Sequence, residues 1–376
     1  MKEGWETKPL GDLLDVQNGY AFESKQFASD AGVPLIRIRD LRGAVSTETR
    51  YNGEYDPRYL VEAGDLLIGM DGEFRCYEWM GAPALLNQRV CRLQIHATGL
   101  AKRFLLYGIN SYLADIESKT GFTTVKHLSS KSISSIGFPL PPLPEQQRIV
   151  GILDEAFEKL AIAKANTEKN LQNAQDLFES QLGSSYAKYC LHHECVALET
   201  LIGSGVVKLG RGKIISKRDL QMTPGAYPVY SSARENDGKF GEYGLFMFDE
   251  DLITWSVDGG GRLFYRPRHR FSVTNVGGFL RILRNDKLDY RYLHLVLTHL
   301  HSTLRFDWVR KAHPSVIRKL YDQIPLAPIP DQRAFVASLD AIEGEVARLQ
   351  DAYRAKGLEL ERLRESLLRQ AFAGEL

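Results

Sequence analysis

The sequence predicts an α+β fold in which two globular domains are separated by two long helices that pair antiparallel as a coiled coil. Three observations support this fold. Motifs of the first half recur in the second half at a constant offset, two long stretches carry a heptad pattern of apolar residues, and the parts between them mix strand and helix signals. Together they predict an internal duplication with a pseudo-two-fold axis.

The duplication is clearest in a proline-rich segment. Pro-Leu-Pro-Pro-Leu-Pro-Glu-Gln at residues 139–146 recurs as Pro-Leu-Ala-Pro-Ile-Pro-Asp-Gln at residues 325–332, an offset of 186. Asp-Leu-Leu at residues 65–67 matches Asp-Leu-Ile at residues 251–253 with the same offset. This period is far too long for a solenoid repeat, so it indicates a duplicated half of the protein.

The proline-rich segments divide the chain into four parts. We predict a first globular domain at residues 1–143 and a central long helix at residues 144–186. A second globular domain at residues 187–329 and a C-terminal long helix at residues 330–376 repeat that arrangement.

Both globular parts carry strand and helix signals. Period-two alternation predicts a half-buried strand at residues 35–39, and short apolar runs predict strands at residues 65–69 and 245–248. Helical spacing of apolar residues marks residues 104–116 and 292–304. A regular alternation of strands with helices and glycine-rich crossovers is missing, which argues against a doubly wound parallel sheet.

The two long stretches are predicted to be helices of a coiled coil. Apolar residues after Pro144 and after Pro330 alternate in spacings of three and four, with charged residues between them. Each narrow apolar stripe requires one long partner, and the chain supplies it as the other copy. Thr167 and Lys356 interrupt the two stripes.

Composition and charge narrow the function. The chain has 376 residues, four cysteines and a net charge of +1, which does not fit a disulfide scaffold. Apolar runs are too short for a membrane span and no secretory signal follows Met1, so we expect a cytoplasmic protein. Residues 187–329 hold 21 basic and 14 acidic residues, a net +7, which suits a polyanionic partner.

Catalytic and metal-binding motifs do not appear in the sequence. It has no phosphate-binding loop, no dinucleotide-type glycine loop, no adenine-methyltransferase tetrapeptide and no nucleophile elbow. Cys190 to Cys195 contain four cysteine and histidine side chains in six residues, but their spacing matches no usual zinc site and they fall where the first long helix should end. We therefore predict neither catalytic residues nor a metal site.

Residues that could bind DNA are spread over loops near strand ends in both globular parts. Arginine reads guanine, asparagine and glutamine read adenine, and serine or lysine hold phosphates. Each such residue taken alone could equally be a solvated loop side chain. The candidate residues are Tyr20, Phe22, Arg37, Arg39, Arg75, Gln88 and Arg89 in the first domain, and Lys208, Arg211, Lys213, Tyr230, Ser231, Ser232, Arg234, Asn236, Lys239 and Arg262 in the second.

Several of these segments resemble the specificity subunit of type I restriction-modification systems. The resemblance rests on Pro-Leu-Pro-Pro-Leu-Pro-Glu-Gln-Gln-Arg-Ile-Val at residues 139–150, its copy at residues 325–340, and the final ten residues 367–376. Tyr-Pro-Val-Tyr-Ser-Ser at residues 227–232 and Gly-Asp-Leu-Leu-Ile at residues 64–68 are similar to further segments of that family.

The resemblance implies a non-catalytic protein that recognises double-stranded DNA. Each globular part would be a target recognition domain that reads one part of a split site. Two modification subunits, which use S-adenosylmethionine, would dock on the helices, and an ATP-dependent restriction subunit would join them. The chain itself would need no cofactor and would not contact a membrane.

Three other functions remain open from the sequence. A free-standing methyltransferase is opposed by the missing motifs. A coiled-coil scaffold would explain the helices but not the two arginine-bearing domains. A DNA-recognition subunit of another phage-defence methylation complex differs from the favoured function only in its partners.

Overall fold

The computed structural model describes residues 4–43, 45–119, 127–232, 236–258, 260–304 and 311–376. The chain divides into two compact units. Unit 1 contains the described residues up to Asn166 together with those from Gly357 onwards, and unit 2 contains those from Thr167 to Lys356. Within the described ranges, no helix is both long and apolar enough to cross a membrane.

Unit 1 is built from short strands and two helices, followed by the start of the first long helix. The strands are β1 (Glu6–Pro9), β2 (Leu14–Asn18), β3 (Phe27–Ala28), β4 (Val33–Ile36), β5 (Arg50–Tyr51), β6 (Leu60–Val61), β7 (Leu66–Gly69), β8 (Cys76–Glu78), β9 (Ala84–Leu86), β10 (Val90–Ile95) and β11 (Gly137–Leu140). The helices are α1 (Lys102–Lys119), α2 (Ser130–Ser134) and the long α3 (Leu143–His192).

Unit 2 has longer strands and again ends in a long helix. Its strands are β12 (Cys195–Val196), β13 (Val207–Arg211), β14 (Tyr227–Tyr230), β15 (Lys239–Tyr243), β16 (Phe248–Ser256), β17 (Leu263–Val273), β18 (Gly277–Ile282) and β19 (Ile324–Pro325). Its helices are α4 (Leu198–Gly203), α5 (Lys217–Met222), α6 (Tyr290–Thr303), α7 (Pro314–Ile317) and the long α8 (Ile329–Ala373).

Both units contain the same antiparallel sheet, which confirms the duplication. The strand order is β2-β10-β7-β8 in unit 1 and β13-β18-β16-β17 in unit 2. The repeated Asp-Leu-Leu and Asp-Leu-Ile segments lie at equivalent strands, β7 and β16. In unit 2 the sheet continues through β14 and β15, whereas unit 1 has a separate five-stranded sheet, β3-β5-β4-β9-β6.

The two long helices begin as predicted at the proline-rich segments. Pro144 is the second residue of α3 and Pro330 the second residue of α8, and Glu145 and Asp331 lie in the first turns, where a negative charge favours the helix dipole. The helices contain 50 and 45 residues. α3 therefore extends to His192, beyond the predicted end at residue 186, whereas α8 ends at Ala373, three residues before the predicted end at residue 376.

Contacts inside each unit confirm that α3 and α8 run antiparallel. In unit 1, Lys164 forms an ion pair with Glu361 at 2.6 Å. In unit 2, the Tyr189 hydroxyl donates to the carbonyl of Asp331 at 2.8 Å, and the Tyr189 ring lies 4.8 Å from that of Phe335. An earlier residue of α3 thus meets a later residue of α8 in unit 1, and a later residue of α3 meets earlier residues of α8 in unit 2, as antiparallel helices require.

Each unit has its own hydrophobic core between its sheet, one helix and the two long helices. In unit 1, Phe104 of α1 packs on Phe138 of β11, with ring centroids 5.8 Å apart, and Ile149 of α3 is fully buried in the same cluster. In unit 2, Tyr292 of α6 and Phe335 of α8 occupy the corresponding place, 5.1 Å apart. Burial of these large apolar side chains supplies most of the stabilisation of each unit.

Two of the predicted strands were partly wrong. The alternating segment 35–39 leaves the sheet after Ile36, because Asp40 accepts a hydrogen bond from the Arg37 backbone N–H at 2.9 Å and closes a short 3-10 turn at Ile38–Asp40. The apolar run 245–248 enters β16 only at Phe248, since the preceding residues form the connection from β15.

Candidate nucleic-acid interface

A surface cleft of about 470 Å³ in unit 1 gathers most of the candidate residues predicted there. We call it the unit 1 cleft. It is lined by Phe22, Ser24, Phe27, Arg37, Ile38, Arg39, Asn87, Gln88 and Arg89. Five of the seven residues predicted for the first domain therefore come together, although they are up to 67 positions apart in the chain.

The pairing of β4 with β9 explains why these distant segments meet. The two strands are parallel, and Ile36 lies opposite Leu86. Because parallel strands end at the same edge of a sheet, the following residues, Arg37 and Asn87, leave the sheet side by side. Their backbones remain linked, since the Asn87 N–H donates to the carbonyl of Ile36 at 3.4 Å.

A close backbone approach brings Tyr20 and Phe22 to the same edge. Tyr20 N–H donates to the Leu86 carbonyl at 2.9 Å. The preceding residue must be glycine, since a Cβ on Gly19 would lie 2.1 Å from the Asn87 carbonyl oxygen. Tyr20 is 51% exposed, and its ring packs against that of Phe22 at 5.2 Å.

The arginines of the unit 1 cleft are held in different ways. The Arg37 guanidinium donates to the Thr49 hydroxyl, while its Nε is buried without a hydrogen-bond partner. Arg89 is largely exposed, and its Nη1 lies 3.1 Å from a carboxylate oxygen of the more buried Asp71. The same carboxylate lies 2.8 Å from Nδ1 of His127. Asp71 therefore orients Arg89 without covering it.

Arg39 and Gln88 point their polar ends into solvent, and Arg75 lies elsewhere. Both Arg39 and Gln88 are exposed at the cleft. Arg75 does not line it; its Nη1 is 3.9 Å from Glu73 and its guanidinium is 5.8 Å from the Tyr77 ring. The unit 1 cleft thus combines guanidinium and amide donors over an aromatic floor, and these groups suit the edges of bases and phosphate oxygens.

In unit 2, several predicted residues meet at the end of β17. The Thr274 hydroxyl donates to that of Ser231 at 2.8 Å, and the Thr274 N–H donates to the Tyr230 carbonyl at 2.9 Å. Lys213 N–H donates to the Val273 carbonyl at 3.0 Å. We call the group of Arg211, Lys213, Tyr230, Ser231 and Thr274 the unit 2 edge.

Arg211 joins the unit 2 edge through the next residue of the chain. Its Nη2 donates to the carbonyl of Asn275, which follows Thr274. Both Arg211 and Lys213 are exposed, so their charges are available to an anionic partner. Ser232, half-buried, follows Ser231 directly.

The other residues predicted for the second domain lie apart from the unit 2 edge or are not fully described. Lys208 lines a different cleft beside Arg318 and Lys319. Lys239 forms an ion pair with Glu242 at 2.7 Å. The remaining three are placed as follows: Arg262 lines a third cleft next to α3 and α8, Arg234 lies outside the described residues, and Asn236 begins a short 3-10 helix in which its side chain is not described.

Sequence reasoning missed a basic stretch on β17. Arg266 is only 6% exposed, and its guanidinium carbon lies 3.6 Å from the centre of the Tyr230 ring. Arg268 and Arg270 share the carboxylate of Asp249, at 3.3 and 3.5 Å. The signal was present in Tyr-Arg-Pro-Arg-His-Arg-Phe at residues 265–271, which holds three arginines in five positions.

The cysteine- and histidine-containing segment joins α3 to β12. His192 is the last residue of α3 and Cys195 the first of β12. Across the part of the chain that the structure describes, no three histidine, cysteine or acidic side chains are grouped as metal ligands.

Comparisons with known proteins place these features in a family context. A family model described as the type I restriction modification DNA specificity domain matches residues 2–173. The specificity subunit of the type I restriction enzyme EcoBI from Escherichia coli is 40% identical over 169 residues, which are 44% of this chain and 35% of that protein. The chain therefore covers about a third of the length of this relative.

A second relative is matched over most of its length. The putative type I specificity subunit S.MpnORF615P of Mycoplasma pneumoniae is 30% identical over 214 residues, which are 56% of this chain and 82% of that protein. A solved structure from work on complex assembly and conformational transition of the type I R-M system is similar in fold, with a TM-score of 0.74 at 17% identity. That likeness covers 100% of this chain and 99% of the other.

Proposed function

The chain belongs to the family of type I restriction-modification specificity subunits, and from this membership we propose that it is the DNA-recognition subunit of such a complex. It reads a double-stranded target made of two separate half-sites, one with each unit. Each half-site is called a word below. The unit 1 cleft recognises one word, and the unit 2 edge together with the basic face of β17 recognises the other.

The observation that carries this proposal is the repeated sheet. Both units contain the same four-stranded sheet, and an exposed arginine lies at a strand end of each copy, Arg89 directly before β10 in unit 1 and Arg211 at the end of β13 in unit 2. The local sequences at these edges differ, whereas the framework does not. A shared framework with different arginine- and amide-bearing loops suits two recognition modules of different specificity.

We further propose that the chemistry of the complex resides in partner subunits. Two modification subunits would supply S-adenosylmethionine-dependent methyl transfer, and a restriction subunit would supply the ATP-driven steps. The specificity subunit would contribute no catalytic group and bind no cofactor. It would act in the cytoplasm, where cellular and incoming DNA are found.

The long helices are the proposed docking surfaces for the modification subunits. Several apolar residues on these helices have more than a third of their surface exposed to solvent. Apolar residues that were fully covered by the partner helix would be less exposed, so these residues are available to a partner protein. Because each unit contains part of both helices, the duplication offers two equivalent surfaces for two modification subunits. These residues are Ile152, Ile162, Leu358 and Leu363 in unit 1, and Leu177 and Leu349 in unit 2.

The proposal is tested by sequencing the methylated adenines of a host that expresses this chain with its modification subunits. We expect a two-part motif with an unspecified gap, which disappears when the chain is omitted. Methylation that persists without the chain, or a motif that is continuous, would contradict it. The chain expressed alone serves as the control and should methylate nothing.

A further inference from the structure

Arg266 is a buried cation enclosed by aromatic rings in the middle of β17. Its guanidinium carbon lies 3.6 Å from the centre of the Tyr230 ring and 4.7 Å from that of Phe264. Only 6% of the residue is exposed. Cation–π contacts of this kind offset part of the cost of removing a guanidinium from water.

The hydrogen bonds of Arg266 go to neutral groups. Nε donates to the Thr254 hydroxyl at 3.2 Å, and Nη2 donates to the backbone carbonyl of Asp237. Within the described ranges, no carboxylate oxygen lies within ion-pair distance of it. Burial accordingly lowers the pKa of Arg266 from its usual value. The charge of Asp237 acts in the opposite direction but does not offset the burial. A buried cation without a carboxylate in direct contact is destabilising by itself, so its presence needs a reason other than stability.

Arg281 shows how the same sheet accommodates an ordinary arginine. It pairs with both oxygens of Glu250, at 2.8 and 2.6 Å, and lies 5.7 Å from the ring of Phe248. Arg281 therefore has aromatic neighbours as Arg266 does, but its charge is compensated. The two arginines therefore differ in two respects: Arg281 is only partly buried and contacts a carboxylate, whereas Arg266 is buried and contacts none.

The groups that Arg266 contacts flank a segment of the unit 2 edge. Tyr230 precedes Ser231, and the Ser231 N–H donates to the Gly238 carbonyl at 2.8 Å. Asp237, the residue before Gly238, has φ +51°, a left-handed conformation that a non-glycine residue adopts only at a cost. Such a conformation persists where its surroundings hold it, and the Arg266 bond to the Asp237 carbonyl does so.

We propose that Arg266 is a positioning residue for the DNA word read by unit 2, an inference that rests on the proposed function. Its guanidinium holds the Tyr230 ring and the Asp237 carbonyl at once. In this way it links the end of β14 to the turn at Asp237, and Ser231 lies between Tyr230 and its hydrogen bond to the Gly238 carbonyl. The residues that touch DNA are those of the unit 2 edge, and Arg266 sets their geometry from beneath.

The test uses the full chain assembled with its modification subunits. The wild-type methylation motif first defines the two words. Fluorescence anisotropy then compares three duplexes: the intact site, one with a base changed in the first word, and one with a base changed in the second. The ratio of affinities between intact and changed sites measures discrimination at each word separately. A general loss of folding lowers the affinity for all three duplexes by the same factor and leaves both ratios unchanged.

Three variants separate positioning from stability. Arg266→Met keeps the side-chain volume but removes the charge, and it should reduce discrimination at the second word roughly tenfold or more while the first word is unchanged. Arg266→Lys keeps the cation over Tyr230 and should lose less discrimination at the second word than Arg266→Met does. Arg281→Met, the matched control, should lower the thermal stability and leave both ratios unchanged.

Several outcomes would overturn the inference. Weaker binding of all three duplexes with both ratios unchanged in Arg266→Met would indicate a merely structural role, and so would an equal effect of Arg281→Met on discrimination at the second word. If Arg266→Met does not assemble, Arg266→Lys decides: unchanged discrimination at the second word would contradict the proposal. A wild-type complex that discriminates at neither word would overturn the proposed function as well.

Discussion

Gln146 and Gln332, which are 186 residues apart, make the same three hydrogen bonds, one set in each unit. The Gln146 amide donates to the carbonyls of Gly99 and Pro141, at 2.7 and 2.8 Å, and its oxygen accepts from the Ala101 N–H at 2.8 Å. The side chain is fully buried. It joins the first turn of α3 both to the end of β11 and to the loop before α1.

Gln332 repeats this arrangement at the start of α8. Its amide donates to the carbonyls of Lys287 and Ala327, at 2.9 and 2.7 Å, and its oxygen accepts from the Asp289 N–H at 2.8 Å. It is also fully buried. The shared Gln in the two proline-rich segments therefore fixes each long helix to its own globular part.

An ion pair near each glutamine repeats as well. Arg103 of α1 contacts Asp154 of α3, with Nε 2.9 Å from the carboxylate, and Arg291 of α6 contacts Asp340 of α8 at 3.0 Å. These pairs are partly exposed and contribute modestly to stability. Their repetition shows that the duplicated framework extends to side-chain contacts.

Replacing either buried glutamine with leucine should destabilise its unit. Gln146→Leu leaves the Ala101 N–H and the carbonyls of Gly99 and Pro141 without this partner, and the buried Pro141 carbonyl alone costs about 1–3 kcal/mol. We expect a loss of roughly 2 kcal/mol or more in the free energy of unfolding, measured by urea denaturation. Gln332→Leu should have the same effect in unit 2.

The control for this prediction lies on the same helix. Gln172 is exposed on α3, and its amide donates to the carboxylate of Asp176 in the next turn at 2.8 Å. Gln172→Leu should change the free energy of unfolding by less than about 0.5 kcal/mol. An equal loss for Gln146→Leu and Gln172→Leu would mean that the buried hydrogen bonds do not matter.

The repeats and the heptad pattern were sufficient to predict the framework. Pro144 and Pro330 mark the helix starts because proline fits a first turn and local sequence determines it. The unit 1 cleft could not be predicted as one site in this way. It depends on the parallel pairing of Ile36 with Leu86, a contact between distant segments that no local pattern encodes.

Arg266 illustrates a second limit of sequence reasoning. A dense basic stretch indicates an exposed anion-binding face, and Arg268 and Arg270 are indeed exposed. Arg266 is buried because a bulge opposite Glu250 and Leu252 changes the register of β17 near Pro267. A bulge reverses the faces of the residues beyond it, so the alternation of residue types alone assigns Arg266 to the wrong face, and Pro267 is the residue type that could have indicated the bulge.

The two units should recognise separate words of the DNA target. Replacing Gln88 and Arg89 together with alanine removes exposed donors of the unit 1 cleft and should affect one word only. Replacing Arg211 and Lys213 should affect the other. We expect about 1–3 kcal/mol for each side chain that contacts a base edge, measured from binding and from the methylation motif. Loss of the same base positions in both variants would contradict the assignment of one word to each unit.

Acid should destabilise unit 2 through His294 in α6. Burial lowers the pKa of His294 to about 4, and the neighbouring Arg291 acts in the same direction. In the unfolded chain the pKa of a histidine is about 6.5, so below that pH the unfolded state binds more protons than the folded state. The stability that the neutral imidazole contributes is therefore present above pH 6.5 and is lost as the pH falls towards 4.

Urea denaturation at pH 7.5 and pH 5 measures this effect. The pKa difference corresponds to a loss of about 2 kcal/mol at pH 5. His294→Gln should show a smaller fall between the two values than the wild type. His96→Gln, at an exposed histidine of unit 1, is the control and should behave as the wild type. An unchanged pH dependence in His294→Gln would mean that this imidazole does not set the acid sensitivity.

Thr167 and Lys356 mark the points where both long helices pass from one unit to the other. The heptad pattern is interrupted at the same two residues. Four inserted residues add about 6 Å of helix, close to the rise of two base pairs, and about 400° of rotation, which nearly restores the original face. We expect insertions of four residues after Thr167 and after Lys356 together to keep both DNA words and to lengthen the gap between them by one or two base pairs.

Insertions of two residues are the matched control, because about 200° of rotation turns the apolar stripe away from its partner helix and should abolish activity. The methylation motif of each variant is the measurement, and an active four-residue variant with an unchanged gap would mean that helix length does not set the spacing.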